Sequence, residues 1–211
     1  MKIAIIIGST GLIGHKLTEQ LLNDNRYSKV TILVRKKARP DHPKLEQLVF
    51  DFDNPDISVF KGNELYCCLG TTIKTAGTKE AFYKVDYNYV LNSAKQAKQN
   101  GIAKLAVISS MGANKRSSAF YTKTKSEMED AVAGLNFDSC FILRPSLLLG
   151  NRKEFRFGEK IATLLMKSLS FIIPDKYKGI KDEQVAKAMI HFMNTNEKGN
   201  HIIENNLLLL V

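Results

Sequence analysis

Two groups of residues in this 211-residue chain have the types and spacing to do chemistry. The first is Gly8-Ser9-Thr10-Gly11-Leu12-Ile13-Gly14, a G-x-x-G-x-x-G run between a short apolar segment and an amphipathic one. Glycines there permit a tight turn and close approach of the backbone to a pyrophosphate, while the free N–H groups of a helix start face the anion. A turn with no ligand has the same glycines, but the strand-to-helix position favours dinucleotide binding. The second group is Tyr121 and Lys125, four residues apart and therefore on one face of a helix. An ammonium beside a phenol favours the tyrosinate, lowering its pKa from about 10 and making it a usable proton donor or acceptor. Ser109 and Ser110 end an apolar run just upstream. A hydroxyl there would hold a substrate oxygen while Tyr121 exchanges the proton.

Three further segment ends fit the same site. The second apolar run ends at Val34 and is followed by Arg35, Lys36 and Lys37, with no carboxylate. An acidic residue at that point would accept the adenosine ribose hydroxyls of NAD, whereas basic residues suit the 2′-phosphate of NADP. Arg35 is foremost because a guanidinium binds phosphate bidentately. A solvated basic loop is the other reading, since Arg39 continues the run. Asp51 follows the third run and either accepts from an adenine amino group or forms a turn before Asn54-Pro55. Leu69-Gly70-Thr71-Thr72 follows the fourth, where a glycine again lets backbone lie against a cofactor.

The elements that must position these residues can be read from hydrophobic periodicity. Lys2–Ile7, Lys29–Val34, Glu46–Phe50, Glu64–Leu69, Lys104–Ile108 and Ser139–Leu143 are short, nearly continuous apolar runs of the kind found in buried parallel strands. Helices are expected over Leu12–Asn23, Glu80–Gln99 and Ser117–Leu135. Strands alternating with helices of this length imply a doubly wound α/β fold with a parallel sheet. After Arg144-Pro145 the rhythm changes: Glu154–Ser170 and Asp182–Asn194 read as helices, with Pro174 and Gly179 between them. We therefore expect a single domain over 1–211, in which 151–200 forms a small substrate-side lobe. In that segment Arg152, Lys153 and Arg156 suit an anionic ligand, or the segment makes subunit contacts.

Composition narrows the function classes. An apolar content of 44% in a chain this long is enough to fill a core, which excludes intrinsic disorder. No apolar run approaches the roughly 18–20 residues needed to span a bilayer, and no secretory leader is evident, so a cytoplasmic location is expected. Cys67, Cys68 and Cys140 lie in apolar stretches and read as buried thiols, and the four histidines occupy unrelated contexts, so no metal site is expected. The formal charge of +10 suits an anionic cofactor, a membrane surface or a nucleic acid. The last lacks an aromatic platform or recognition helix, and neither a nucleic-acid nor a membrane partner is expected.

Taken together, Gly8–Gly14, Leu33-Val34-Arg35-Lys36, Cys67-Cys68-Leu69-Gly70-Thr71-Thr72, Ser109-Ser110-Met111-Gly112-Ala113, Tyr121–Lys125 and Arg144-Pro145 resemble a short-chain dehydrogenase/reductase. The likeness is to its atypical, extended-like members, related to NmrA-type and nucleoside-diphosphate-sugar epimerase-like proteins. The resemblance implies a Rossmann fold binding NADP(H), with Tyr121 as proton donor or acceptor and Lys125 on the nicotinamide ribose. It implies cofactor contacts from Thr10, Gly11, Leu12, Ile13, Arg35, Lys36, Leu69 and Gly70, and from Leu148 and Arg156 after the last main strand. It places the site serine at the second residue of the Ser-Ser pair, Ser110, or one beyond, where this chain has Met111. The function expected is an NADPH-dependent oxidoreductase acting on a small carbonyl or alcohol; the alternative is an NADPH-binding redox sensor. Monomer and homodimer both remain open.

Overall fold

The computed structural model describes residues 1–37, 39–149 and 174–211. Its strands are β1 (Lys2–Ile7), β2 (Tyr27–Val34), β3 (Leu45–Val49), β4 (Glu64–Cys67), β5 (Lys104–Ile108), β6 (Ser139–Arg144), β7 (Leu148–Leu149), β8 (Ile180–Lys181) and β9 (Gly199–Glu204). Seven of them form one sheet in the order β3-β2-β1-β4-β5-β6-β9, with every neighbouring pair parallel. The chain runs outward from β1 to β3, then crosses back to β4 on the other side of β1. This reversal opens a crevice at the carboxyl ends of β1 and β4, where open α/β sheets bind ligands. The fold is the expected doubly wound Rossmann sheet. β7 and β8 form a separate short parallel pair.

Alternation along β1 divides the core in two. Ala4 and Ile6 join α1 (Leu12–Leu22), through Ile13, Leu17 and Leu21, on one face of the sheet. Ile5 and Ile7 join Val90, Ala94 and Ala97, together with Met128 and Val132, on the other. The helical segment on that second face begins as α3 (Lys79–Tyr83), after the single turn α2 (Ile73–Ala76). It passes through a π-helical turn at Lys84–Tyr89 and ends as α4 (Val90–Gln99). Beside it lies α5 (Phe120–Ala133). That helix starts three residues later than its apolar pattern suggests, because the Ser117 hydroxyl accepts from the Ala119 N–H and the Thr122 hydroxyl. Such side-chain bonds hold the backbone outside the helix.

Of the segment 151–200 expected to form a small lobe, residues 151–173 lie outside the described residues; in the remainder α6 (Asp182–Met193) packs beside α1, and β9 pairs with β6 as the seventh strand. Gly199–Glu204 carries Asn, His and Glu with only two β-branched residues, the composition of a half-covered edge strand rather than a buried one. Leu208, on α7 (Asn205–Leu208), is fully buried, and Leu209 and Val211 pack against the same cluster. The expected helix Glu154–Ser170, with Arg152, Lys153 and Arg156, lies outside the described residues.

The amino ends of the strands carry a buried polar cluster. Glu64 accepts from the hydroxyls of Tyr27 at 2.7 Å and Tyr66 at 2.9 Å, and Lys2 pairs with it at 2.7 Å. Burial raises both phenols above their ordinary range. The cluster joins β1, β2 and β4 at the end opposite the crevice. Cys67 and Cys140 are likewise buried among apolar side chains and Cys68 is half-buried: desolvation pushes Cys67 and Cys140 up to about 12, and Cys68 is raised as well. Because thiolate is the reactive form, native protein at pH 8 should react with a disulfide probe about three orders of magnitude more slowly than free cysteine. All three thiols should react at once in guanidinium. Rapid labelling of Cys67 or Cys140 in the native state would contradict this packing.

Candidate dinucleotide site

The glycine turn at the end of β1 is pressed against β4. Gly8 adopts φ +79°, and a Cβ there would stand 2.5–2.6 Å from the backbone of Cys68 and Leu69. A Cβ on Gly14 would stand 2.2 Å from the Gly8 carbonyl oxygen. Any side chain at either position would push the helix start off the strand ends. Gly11 caps α1 without a side-chain bond, and the first turn carries no acidic residue. The free N–H donors there meet no competing carboxylate. The Ser9 hydroxyl is buried without a partner among the described residues, while Thr10 and Gly11 are exposed and Leu12 is half-buried. This turn fits a phosphate: it offers donors, a positive helix end and room for backbone approach.

At the edge of the crevice, Arg35 and Lys36 follow β2, exposed and without a charged or hydrogen-bonding partner among the described residues. The basic run does not stay in solvent throughout. Arg39 folds back onto α1, its guanidinium donating to the His15 carbonyl at 2.9 Å and meeting His15 Nδ1 at 2.8 Å. Burial lowers the Arg39 guanidinium against the opposing pull of Glu19. Asp51 is fully exposed and turns into its own loop, accepting from the Asp53 N–H at 2.8 Å and the Asn54 side chain at 3.2 Å. Both carboxylate oxygens are engaged there, as in the turn-forming alternative. Leu148 is half-buried on β7, opposite Ile180.

Tyr121, Lys125 and their partners lie beyond the glycine turn. The buried stripe of α5 includes Lys125, Met128, Glu129 and Val132, and Tyr121 lies half-buried one turn before Lys125 with its ring against Phe82 at 5.5 Å. Lys125 pairs with Asp86 on the π turn at 2.7 Å, and the second Asp86 oxygen accepts from the Thr71 N–H at 2.8 Å. Gly70 sits over this pair: a Cβ on it would lie 3.5 Å from Asp86 Oδ1 and 3.8 Å from Lys125 Nζ. Burial works to lower the lysine, but the Asp86 charge, followed by that of Tyr121, outweighs it and the net direction is upward.

The two serines separate. The Ser109 hydroxyl is buried and donates to Glu129, which also holds Arg144 through Nε at 2.9 Å and through Nη2. Arg144 continues to Glu204 at 3.1 Å. The Ser110 hydroxyl is half-exposed and donates to the Met111 carbonyl at 3.2 Å. Asp86 and Glu129 are absent from the residues singled out in the sequence, where Arg39 figures only as the continuation of the basic run. Asp86 had a signal: Phe82, Asp86, Val90 and Ala94 recur at helical spacing, and a carboxylate in an apolar stripe needs a buried partner.

A profile described as NAD(P)H-binding matches residues 8–196. The chain belongs to the NAD(P)H-binding family. It is 35% identical to the rat protein HTATIP2, an alignment covering 99% of this chain and 88% of that protein. It is 37% identical to Candida albicans protein FMP52, mitochondrial, over 74% of this chain and 72% of that protein. The fold is similar to MoeE5 in complex with UDP-glucuronic acid and NAD (TM-score 0.77, 16% identity, 96% of this chain and 75% of that one). It is also similar to Helicobacter pylori ADP-L-glycero-D-manno-heptose-6-epimerase (TM-score 0.71, 19% identity, 96% and 76%). Among the described residues no helix is long and apolar enough to cross a membrane.

The contact between Gly14 and Gly8 makes a prediction. Gly14→Ala should destabilise the fold by about 1–3 kcal/mol, since the methyl has no space and the helix start must shift. Its affinity for reduced dinucleotide should fall with it. A native denaturant midpoint together with native dinucleotide binding would show that the turn has slack that this geometry denies.

Proposed function

We propose that this chain is an NADP(H)-dependent oxidoreductase that moves a hydride between nicotinamide and a small carbonyl or alcohol. The observation that carries this reading is the corner at the end of β4. There Lys125, one turn from Tyr121, brings its ammonium beneath Gly70 at the crevice where the strand order reverses.

The bound nicotinamide would supply the hydride donor or acceptor. The remaining work falls to this chain's own residues. Gly8, Thr10, Gly11, Leu12, Ile13 and Gly14 hold the pyrophosphate through backbone donors. Arg35 and Lys36 take the 2′-phosphate, supported by their lack of any other partner among the described residues. Leu69, Gly70 and Leu148 lie along the cofactor, and Arg156, outside the described residues, remains a proposed contact. Lys125 holds the nicotinamide ribose. Tyr121 gives or takes the proton on the substrate oxygen, and Ser110 orients that oxygen, because the Ser109 hydroxyl is committed to Glu129.

Cofactor preference and chemistry separate experimentally. Arg35→Ala removes a charge-assisted phosphate contact worth roughly 1.5–3 kcal/mol, so NADPH affinity should fall about ten- to hundred-fold while NADH affinity stays nearly unchanged. Calorimetric titration of both cofactors decides it; equal losses exclude a 2′-phosphate contact at Arg35.

Tyr121→Phe keeps the ring on Phe82 and removes only the hydroxyl. Reductase turnover across a panel of aldehydes, quinones and nucleotide sugars should drop by about two to four orders of magnitude with NADPH binding retained. Native turnover in that variant would assign the proton to another group. Tight NADPH binding with no turnover of any substrate would favour the sensor reading instead.

A further inference from the structure

Asp86 sits in the π-helical turn Lys84–Tyr89 and is fully buried. A π turn inserts one residue into the helix, which rotates the following face by about 100°, and such turns recur at functional sites. One carboxylate oxygen faces the Lys125 ammonium at 2.7 Å and the other accepts from the Thr71 N–H at 2.8 Å. A single side chain thus joins α5 to the loop that follows β4, with Gly70 between them. Fold stability alone does not account for this pair, since buried ion pairs contribute little net stability and well-packed apolar residues serve as well.

We infer that Asp86 is a positioning residue for Lys125, fixing the ammonium under Gly70 at the place where the nicotinamide ribose would lie. This rests on the proposed reading of that corner as the nicotinamide end of the site. The titratable groups facing Lys125 are Asp86 from the π turn, Cys67 from β4 and Tyr121 from its own helix. Burial pushes the Cys67 thiol up to about 12, which keeps it neutral at ordinary pH. Asp86 is therefore the anion that opposes the effect of burial on the lysine. With Asp86 present the ammonium remains charged well above neutrality. Without that anion, burial pulls the lysine downward and it loses its proton as pH rises.

The test is NADPH affinity, read from nicotinamide fluorescence between pH 7 and 9, in four proteins: native, Asp86→Asn, Lys125→Met and the double variant. Asparagine keeps an acceptor for the Thr71 N–H and removes only the charge. In Asp86→Asn, Kd should be about tenfold higher at pH 7 and should climb further toward pH 9, while the native Kd stays flat. A merely structural role would lower the melting temperature without giving the folded protein a new pH dependence.

The double variant contains no buried unpaired charge, so it can be measured even where Asp86→Asn fails to fold. Its Kd should match that of Lys125→Met within about twofold, because a residue acting through Lys125 has nothing left to position. Folded Asp86→Asn with native, pH-independent affinity overturns the inference, and so does a double variant binding at least fivefold more weakly than Lys125→Met. If Lys125→Met itself binds NADPH with native affinity, the reading of the corner fails, a result distinct from failure of the Asp86 role alone.

Discussion

The rest of this structure depends on the close contact between the Gly8 turn and the backbone at the end of β4. Because neither Gly8 nor Gly14 carries a Cβ, α1 starts directly over the strand ends and the chain at Cys68–Leu69 runs alongside it. The next residues, Gly70 and Thr71, are therefore delivered to Asp86 and Lys125. Backbone contacts from the start of α1 to Thr71, continued by the Asp86 side chain, connect the glycine turn to the lysine of α5. Displacing the first contact would separate the glycine turn from the Asp86–Lys125 pair.

Charge is distributed unequally between the two ends of the sheet. At the amino ends, Glu64 takes the Tyr27 and Tyr66 hydroxyls and the Lys2 ammonium. At the carboxyl ends, Lys125 pairs with Asp86, and Arg144 lies between Glu129 and Glu204. Burying an unpaired charge costs several kcal/mol, so each of these groups must have its partner close by. Among the described residues, these pairings leave the Tyr121 phenol, the uncapped start of α1 and the exposed Arg35 and Lys36 at the crevice, beside the Ser110 hydroxyl, which donates to the Met111 carbonyl.

The same pairings explain how α5 serves two purposes. Its buried stripe contributes Met128 and Val132 to the core and Lys125 and Glu129 to the carboxyl end of the sheet. Glu129 ties the helix to Ser109 and so to the strand end that carries Ser110, while Lys125 ties it to the π turn. A helix fixed at two points sets the Tyr121 ring against Phe82.

Sequence by itself determined the doubly wound sheet, the glycine turn, the basic end of β2 and the shared helical face of Tyr121 and Lys125. These follow from local periodicity and steric demands: a buried parallel strand is continuously apolar, and a turn without space admits only glycine. Only the tertiary structure decided that β9 completes the sheet, that Arg39 returns to His15, that Ser109 rather than Ser110 is tied to Glu129, and that Asp86 holds Lys125. Each of these joins residues far apart in the chain. Asp86 and Lys125 are 39 positions apart, and Glu129 and Glu204, the partners of Arg144, lie on either side of it. No periodicity encodes such pairings, because they arise when packing removes water from charged groups and the nearest opposite charge takes its place.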